Sequence, residues 1–323
     1  MATTAVDGRA RPPQRAGGGV RAVIRPSESF LRRRRWTDAA MRHVLFAAAS
    51  LSVFVTLGIV YVLVSESLVF FAHVPLVEFL TDTQWTPLFT NARYGILPLL
   101  SGTMMAAGIA LLVAIPAGTV AALYLSEFAP VAVRETVKPF LELLEGVPTV
   151  VYGYFALLFV TPLLRSFVPG LAGFNLLAPG LVMGVMILPY VTSVSEDAMR
   201  AVPRELREGA YALGFSRLQT AARVVVPAAF SGITAAYILG MSRAVGETMV
   251  VAIAAGQMPN LTFDPREGAA TITAYIVQVS LGDVPHGSVG YQTIFAAGLT
   301  LFVITLAFNI IGFYLRRRFR EAY

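Results

Sequence analysis

Residues 44–64 form a run of 21 without one charged side chain. A helix of that length crosses the ~30 Å hydrocarbon core of a bilayer. No water is available there to satisfy amide groups, so a chain that places such a segment in lipid must coil it into a helix. Apolar runs of comparable length recur at 96–125, 147–164, 176–195, 228–255 and 291–315. The pattern predicts an all-α integral membrane protein with six transmembrane helices. The first run is too long for a signal-peptide core and lacks a cleavage motif behind it, so it reads as a span. Pro116 predicts a kink or tilt in the second span, and Gly180 with Gly184 gives the fourth span a close-packing face.

A composition of 56% hydrophobic and 14% charged residues supports the same class. Cysteine is absent, which excludes disulfides and thiolate metal sites. His43, His73 and His286 are scattered and predict no metal site. Lys138 is the only lysine, and no glycine loop precedes it. A phosphate-cradling loop for ATP therefore has no place in this chain. ATP, if it drives this protein, binds elsewhere.

The basic residues are asymmetrically placed. Ten precede the first span, two lie in 126–138, five in 196–226 and four at the C-terminus, whereas Arg93, Arg165 and Arg266 are all that the other three loops hold. Positive residues stay on the cytoplasmic side. Both termini and the 196–227 segment are thus expected in the cytoplasm of a plasma (inner) membrane protein, with 65–95 and 256–290 outside. Residues 1–35, rich in Arg, Pro and Gly, read as a disordered basic tail. Its arginine run directly before a span suits acidic membrane lipid rather than nucleic acid. Residues 36–323 form the transmembrane domain.

The longest patterned polar stretch is PRELREGAYALGFSRLQTAARVVVP, residues 203–227. Pro203 suits a first helical position, Gly214 a left-handed residue after a helix end, and Ser216 with Gln219 a capping box. Two short helices joined at a corner follow, where a solvated loop is the plainer alternative. Glu208, Gly209, Ala210, Gly214, Val224, Val226 and Pro227 reproduce, with conservative changes, the E-A-A-x-x-x-G-x(9)-I-x-L-P pattern of permease subunits of bacterial ABC importers. Gly209 stands for the first Ala. The resemblance implies a type I ABC importer permease fold and a coupling helix, carried by Glu208, Gly209, Ala210 and Gly214, that docks on a separate ATPase.

Three further stretches resemble one branch of that family, the PstC-type permeases of the phosphate-specific system. They are YGILPLLSGTMMAAGIALLVAIPAGTVAALYLSEFAP at 94–130, LLEGVPTVVYGYFAL at 143–157 and SRAVGETMVVAIAAGQMPNL at 242–261. The glycines and prolines of the second also serve span entry and helix approach. The resemblance implies a subunit that forms an inorganic phosphate pathway without being an enzyme and without a cofactor of its own. It also implies a second homologous permease, two ATP-binding subunits and an extracytoplasmic phosphate-binding protein as partners. Molybdate or sulfate is the alternative substrate, and an ion-coupled secondary transporter the alternative mechanism.

Within the spans, Arg243 and Glu247 are the candidate pathway residues. Each charge costs roughly 2.5–3.5 kcal/mol at bilayer depth, so neither is expected there without a partner, water or a function. Their spacing of four predicts one helical face, either as a mutual clip or with Arg243 beside the anion path.

Overall fold

Burying an apolar run in lipid leaves helix as the open choice for a single segment, and a computed structural model, which describes residues 28–318, is helical apart from its turns and one isolated bridge, Trp85 to Tyr94. The chain divides into two units, residues 1–58 and 59–323. Within the first, the described part is helix with exposed apolar side chains such as Phe46 and Phe54. Of the expected disordered tail, residues 1–27 lie outside the described residues. Residues 28–35 are the first turns of a helix, because arginine and leucine are good helix formers and the apolar run continues the coil.

In chain order the helices are α1 (Glu28–His73), α2 (Leu76–Thr81), α3 (Leu97–Leu123), α4 (Val131–Glu145), α5 (Thr149–Phe155), α6 (Thr161–Arg165) and α7 (Leu177–Arg200). There follow α8 (Arg204–Ala212), α9 (Arg217–Thr220), α10 (Val226–Ala228), α11 (Phe230–Gly246), α12 (Met249–Ala254), α13 (Ile272–Ser280) and α14 (Val289–Arg318). Wider π turns at Tyr124–Phe128, Ala156–Val160 and Ala221–Val225 extend α3, join α5 to α6 and join α9 to α10. Four helical segments, Trp36–His73, Leu97–Phe128, Leu177–Arg200 and Val289–Arg318, are long and apolar enough to cross a membrane. With each of two bent pairs taken as one span, the described residues hold six. α4 meets the α5–α6 segment at 87°, and the α9–α10 segment meets α11 at 71°.

The heart of the second unit is the seam between α3 and α7. A Cβ added to Gly184 would lie 2.7 Å from Val113 Cβ and 2.9 Å from the Ala110 carbonyl, and one added to Gly180 would lie 2.8 Å from Ile109 Cβ. Only glycine admits that approach, and the two backbones gain dispersion contacts that lipid does not supply. Ala106, Ala110, Met183, Ile187 and Val191 fill the seam.

Two expectations need correction. The fifth span is not one helix over 228–255, because α11 stops at Gly246 and Glu247 is extended, with φ −65° and ψ 135°. Likewise 256–290 is more than a polar loop. It folds back as α13, whose Ile272, Ala274, Tyr275 and Val279 are buried. The Thr271 hydroxyl accepts the Ala274 N–H and caps α13, while the Thr103 hydroxyl accepts the Ile272 N–H. Trp85 packs edge-on against Tyr275 at 5.1 Å and Phe79 against Phe70 at 5.8 Å, so 65–95 and 256–290 share one aromatic cluster.

Candidate functional site

The elbow at 203–227 is built by local chemistry. Pro203 is the N-cap of α8, one position earlier than its predicted place. At the far end the Phe215 N–H donates to the Ala210 carbonyl at 3.1 Å and the Gly214 N–H to the Tyr211 carbonyl at 2.9 Å. These bonds close a Schellman motif around Gly214, whose φ is +84°. The next helix opens on the predicted capping box: the Gln219 N–H donates to Ser216 Oγ at 3.3 Å and the Ser216 N–H to Gln219 Oε1 at 2.8 Å. Glu208 and Gly209 are exposed and Ala210 is buried. A Cβ on Gly209 would touch nothing within 4 Å, so its replacement of alanine leaves the packing unchanged. Tyr211, Leu213 and Leu218 are exposed alongside, Leu213 to 80%. The result is a stiff corner with an apolar edge.

One buried ionic contact ties this corner to the spans, and a second lies on the neighbouring helices. Arg207 on α8 donates to Glu127 through Nη2 at 2.9 Å and Nε at 3.3 Å, and to the Met199 and Val202 carbonyls at 2.8 and 2.5 Å. It therefore joins the end of α3 and the C-terminal end of α7 to the elbow. On α7 itself Glu196 is fully buried, with Lys138 Nζ at 2.5 Å, Arg200 Nη1 at 3.4 Å and Arg134 Nε at 3.8 Å. Lys138 also reaches Asp197 at 2.9 Å. A carboxylate removed from water is tolerable only when paired this closely, and here it clamps α4 onto α7. Sequence reading counted Arg134, Lys138 and Arg207 as cytoplasmic charges and passed over Glu127 and Glu196. The available signal was two carboxylates, Glu127 and Glu196, at the ends of long apolar runs.

Arg243 and Glu247 are not brought together. The Glu247 side chain turns to the next helix, where its Oε1 accepts the Met249 and Val250 N–H groups at 3.1 and 3.3 Å. Its carbonyl accepts the Thr273 hydroxyl at 2.6 Å. Arg243, on the last turn of α11, has its guanidinium over the Tyr190 ring at 5.8 Å and makes no ion pair among the described residues. On α11 itself Tyr237 shares a hydrogen bond of 2.6 Å with Thr119 of α3, and Ser242 Oγ is buried without a partner among the described residues. A half-buried guanidinium with no carboxylate partner among the described residues retains free donors.

Six spans, two of them bent, with a rigid exposed elbow before the fifth make this a multi-pass transport permease of the type I ABC importer fold. The likeness extends to a solved bacterial ABC transporter involved in import of the acidic polysaccharide alginate, with TM-score 0.61 and 16% identity over 89% of this chain and 100% of that one. A chain of the MetNI methionine ABC transporter in an inward-facing conformation gives TM-score 0.52 at 18% identity over 70% of this chain and 95% of that one. The family model for the binding-protein-dependent transport system inner membrane component matches residues 114–321, and the chain belongs to that family. Among relatives, the probable ABC transporter permease protein YqgH of Bacillus subtilis is 39% identical over 75% of this chain and 78% of its own. The phosphate transport system permease protein PstC of Mesorhizobium japonicum is 32% identical over 92% and 95%.

Proposed function

We propose that this permease carries inorganic phosphate into the cell, driven by ATP hydrolysis on partner subunits that engage the elbow. The observation that carries the reading is Arg243, a guanidinium free of any carboxylate partner among the described residues and placed one turn from the break in the fifth span. A planar fork matches phosphate oxygens, and the absence of a carboxylate on it leaves the charge available. Similarity to PstC of Mesorhizobium japonicum supports phosphate over molybdate or sulfate.

In this reading residues 36–323 are the permease domain and 196–227 its cytoplasmic coupling segment, with both termini in the cytoplasm. Glu208, Gly209, Ala210 and Gly214 form the corner that enters a groove on the ATPase, and Arg207 passes its displacement to α3 and α7. Glu247 sets the break that orients Arg243. A second homologous permease, two ATP-binding subunits and an extracytoplasmic phosphate-binding protein complete the complex. Uptake of radiolabelled phosphate by the reconstituted complex tests the proposal. It should require ATP inside the assay's cytoplasmic compartment and resist competition by sulfate and molybdate. Uptake driven by an ion gradient without ATP, or preferred uptake of another oxyanion, refutes it.

A further inference from the structure

Beside the elbow lies an open cleft of about 410 Å³ into which Arg134, Arg200, Arg204, Arg207 and Arg217 project, against the carboxylates of Glu127 and Glu208. The five guanidiniums come from four helices, α4, α7, α8 and α9, so the cluster is a product of folding and not a run along one surface. Five guanidiniums against two carboxylates leave the cleft with a net positive charge. Glu127 is engaged by Arg207 at 2.9 Å. Buried Glu196, behind Arg134 and Arg200, is shared between them and Lys138. Arg204 has no hydrogen-bond or ion-pair partner among the described residues. Arg217 meets only the face of Phe128, at 5.4 Å.

Convergent like charges repel unless an anion joins them, and the fork of arginine selects oxyanions that accept several bonds at once. At ~30 Å³ per water the cleft holds a phosphate group together with its first hydrating waters. We propose that this cleft is a binding site for a phosphate group, supplied by free inorganic phosphate or by an anionic lipid headgroup. It shares no lining residue with the Arg243 site and is independent of which solute crosses the membrane. Occupancy would bridge α8 and α9 to α4 and α7, stiffening the elbow against the spans.

The test uses the full-length chain in nanodiscs of phosphatidylcholine alone and of phosphatidylcholine with phosphatidylglycerol, read by thermal unfolding. Inorganic phosphate, at ionic strength matched with chloride, should raise Tm by at least about 2 °C in Arg243→Gln, where the Arg243 site does not contribute. Adding Arg204→Gln and Arg217→Gln to that variant should abolish the rise. Arg204→Gln alone removes an exposed, unpartnered side chain, should fold normally, and should weaken the phosphate midpoint about tenfold. If the headgroup is the occupant, phosphatidylglycerol produces the rise without added phosphate, again only while Arg204 and Arg217 are present. The site is overturned if neither additive raises Tm in Arg243→Gln, or if the rise persists undiminished once Arg204→Gln and Arg217→Gln are added.

Discussion

Arg243 and Glu247 show what residue spacing does and does not determine. Four positions apart they share a face only while the helix continues, and it ends at Gly246, after which Glu247 is extended and caps α12. The presence of two charges inside an apolar run was legible, because each stands out against its cost in lipid. Their separation was not, because it depends on Thr273, 26 residues further on, fixing the Glu247 carbonyl. The two side chains accordingly have separable roles. Arg243→Gln should abolish phosphate uptake without loss of assembly, and Arg243→Lys should remain impaired because a point charge lacks the fork. Glu247→Gln keeps a side-chain oxygen for the two N–H groups and should retain most uptake. The double variant should match Arg243→Gln alone. Restored uptake in the double variant would mean that the charges act as a pair after all and that Arg243 is architecture.

Among the elements, the elbow was the most readable, since its instructions are local. Gly214 and the Ser216–Gln219 box each act within a few residues, and both appear with the predicted geometry. The break in the fifth span and the buried α13 were hidden for the opposite reason. Nine residues are too few to register as a span, and α13 is held by distant partners, Thr103 on α3 and Thr293 on α14. Of the charged clamp at Glu196 only the carboxylate at the end of an apolar run was readable, because its cations come from α4 as well as α7. The elbow's dependence on one backbone conformation gives a direct test. Gly214→Val forces a β-branched residue to φ +84°, costing on the order of 1 kcal/mol or more locally. No heavy atom lies within 4 Å of its Cβ position, so the effect is backbone strain and not a clash. The variant should insert and bind its partners, yet stimulate ATP hydrolysis poorly. Wild-type transport coupled to wild-type hydrolysis would show that the corner angle is not transmitted.

For the molecule as a whole, the number of spans and the polarity expected for them rest on two different physical effects. Lipid forces each long apolar run into a helix, which is why the helices at Leu97–Phe128, Leu177–Arg200 and Val289–Arg318 lie close to their predicted places. The expected polarity is drawn from the distribution of arginine, which is a statement about membrane insertion and leaves no mark on packing. The two effects meet in a labelling experiment. The chain has no cysteine, so each introduced thiol is the sole target. Leu218, on the elbow, and Met258, between α12 and α13, are 62% and 80% exposed, and neither makes a hydrogen bond through its side chain among the described residues. With the arginine-rich segments inside, an impermeant maleimide should modify Leu218→Cys in inverted vesicles and not in spheroplasts. Met258→Cys should show the reverse. Between the two positions the chain passes once through the membrane, along α11 and α12, so opposite accessibility also tests whether the broken fifth span crosses completely. Modification of both from one face would mean that the chain turns back at Glu247, and the count would fall to five crossings with the termini on opposite sides.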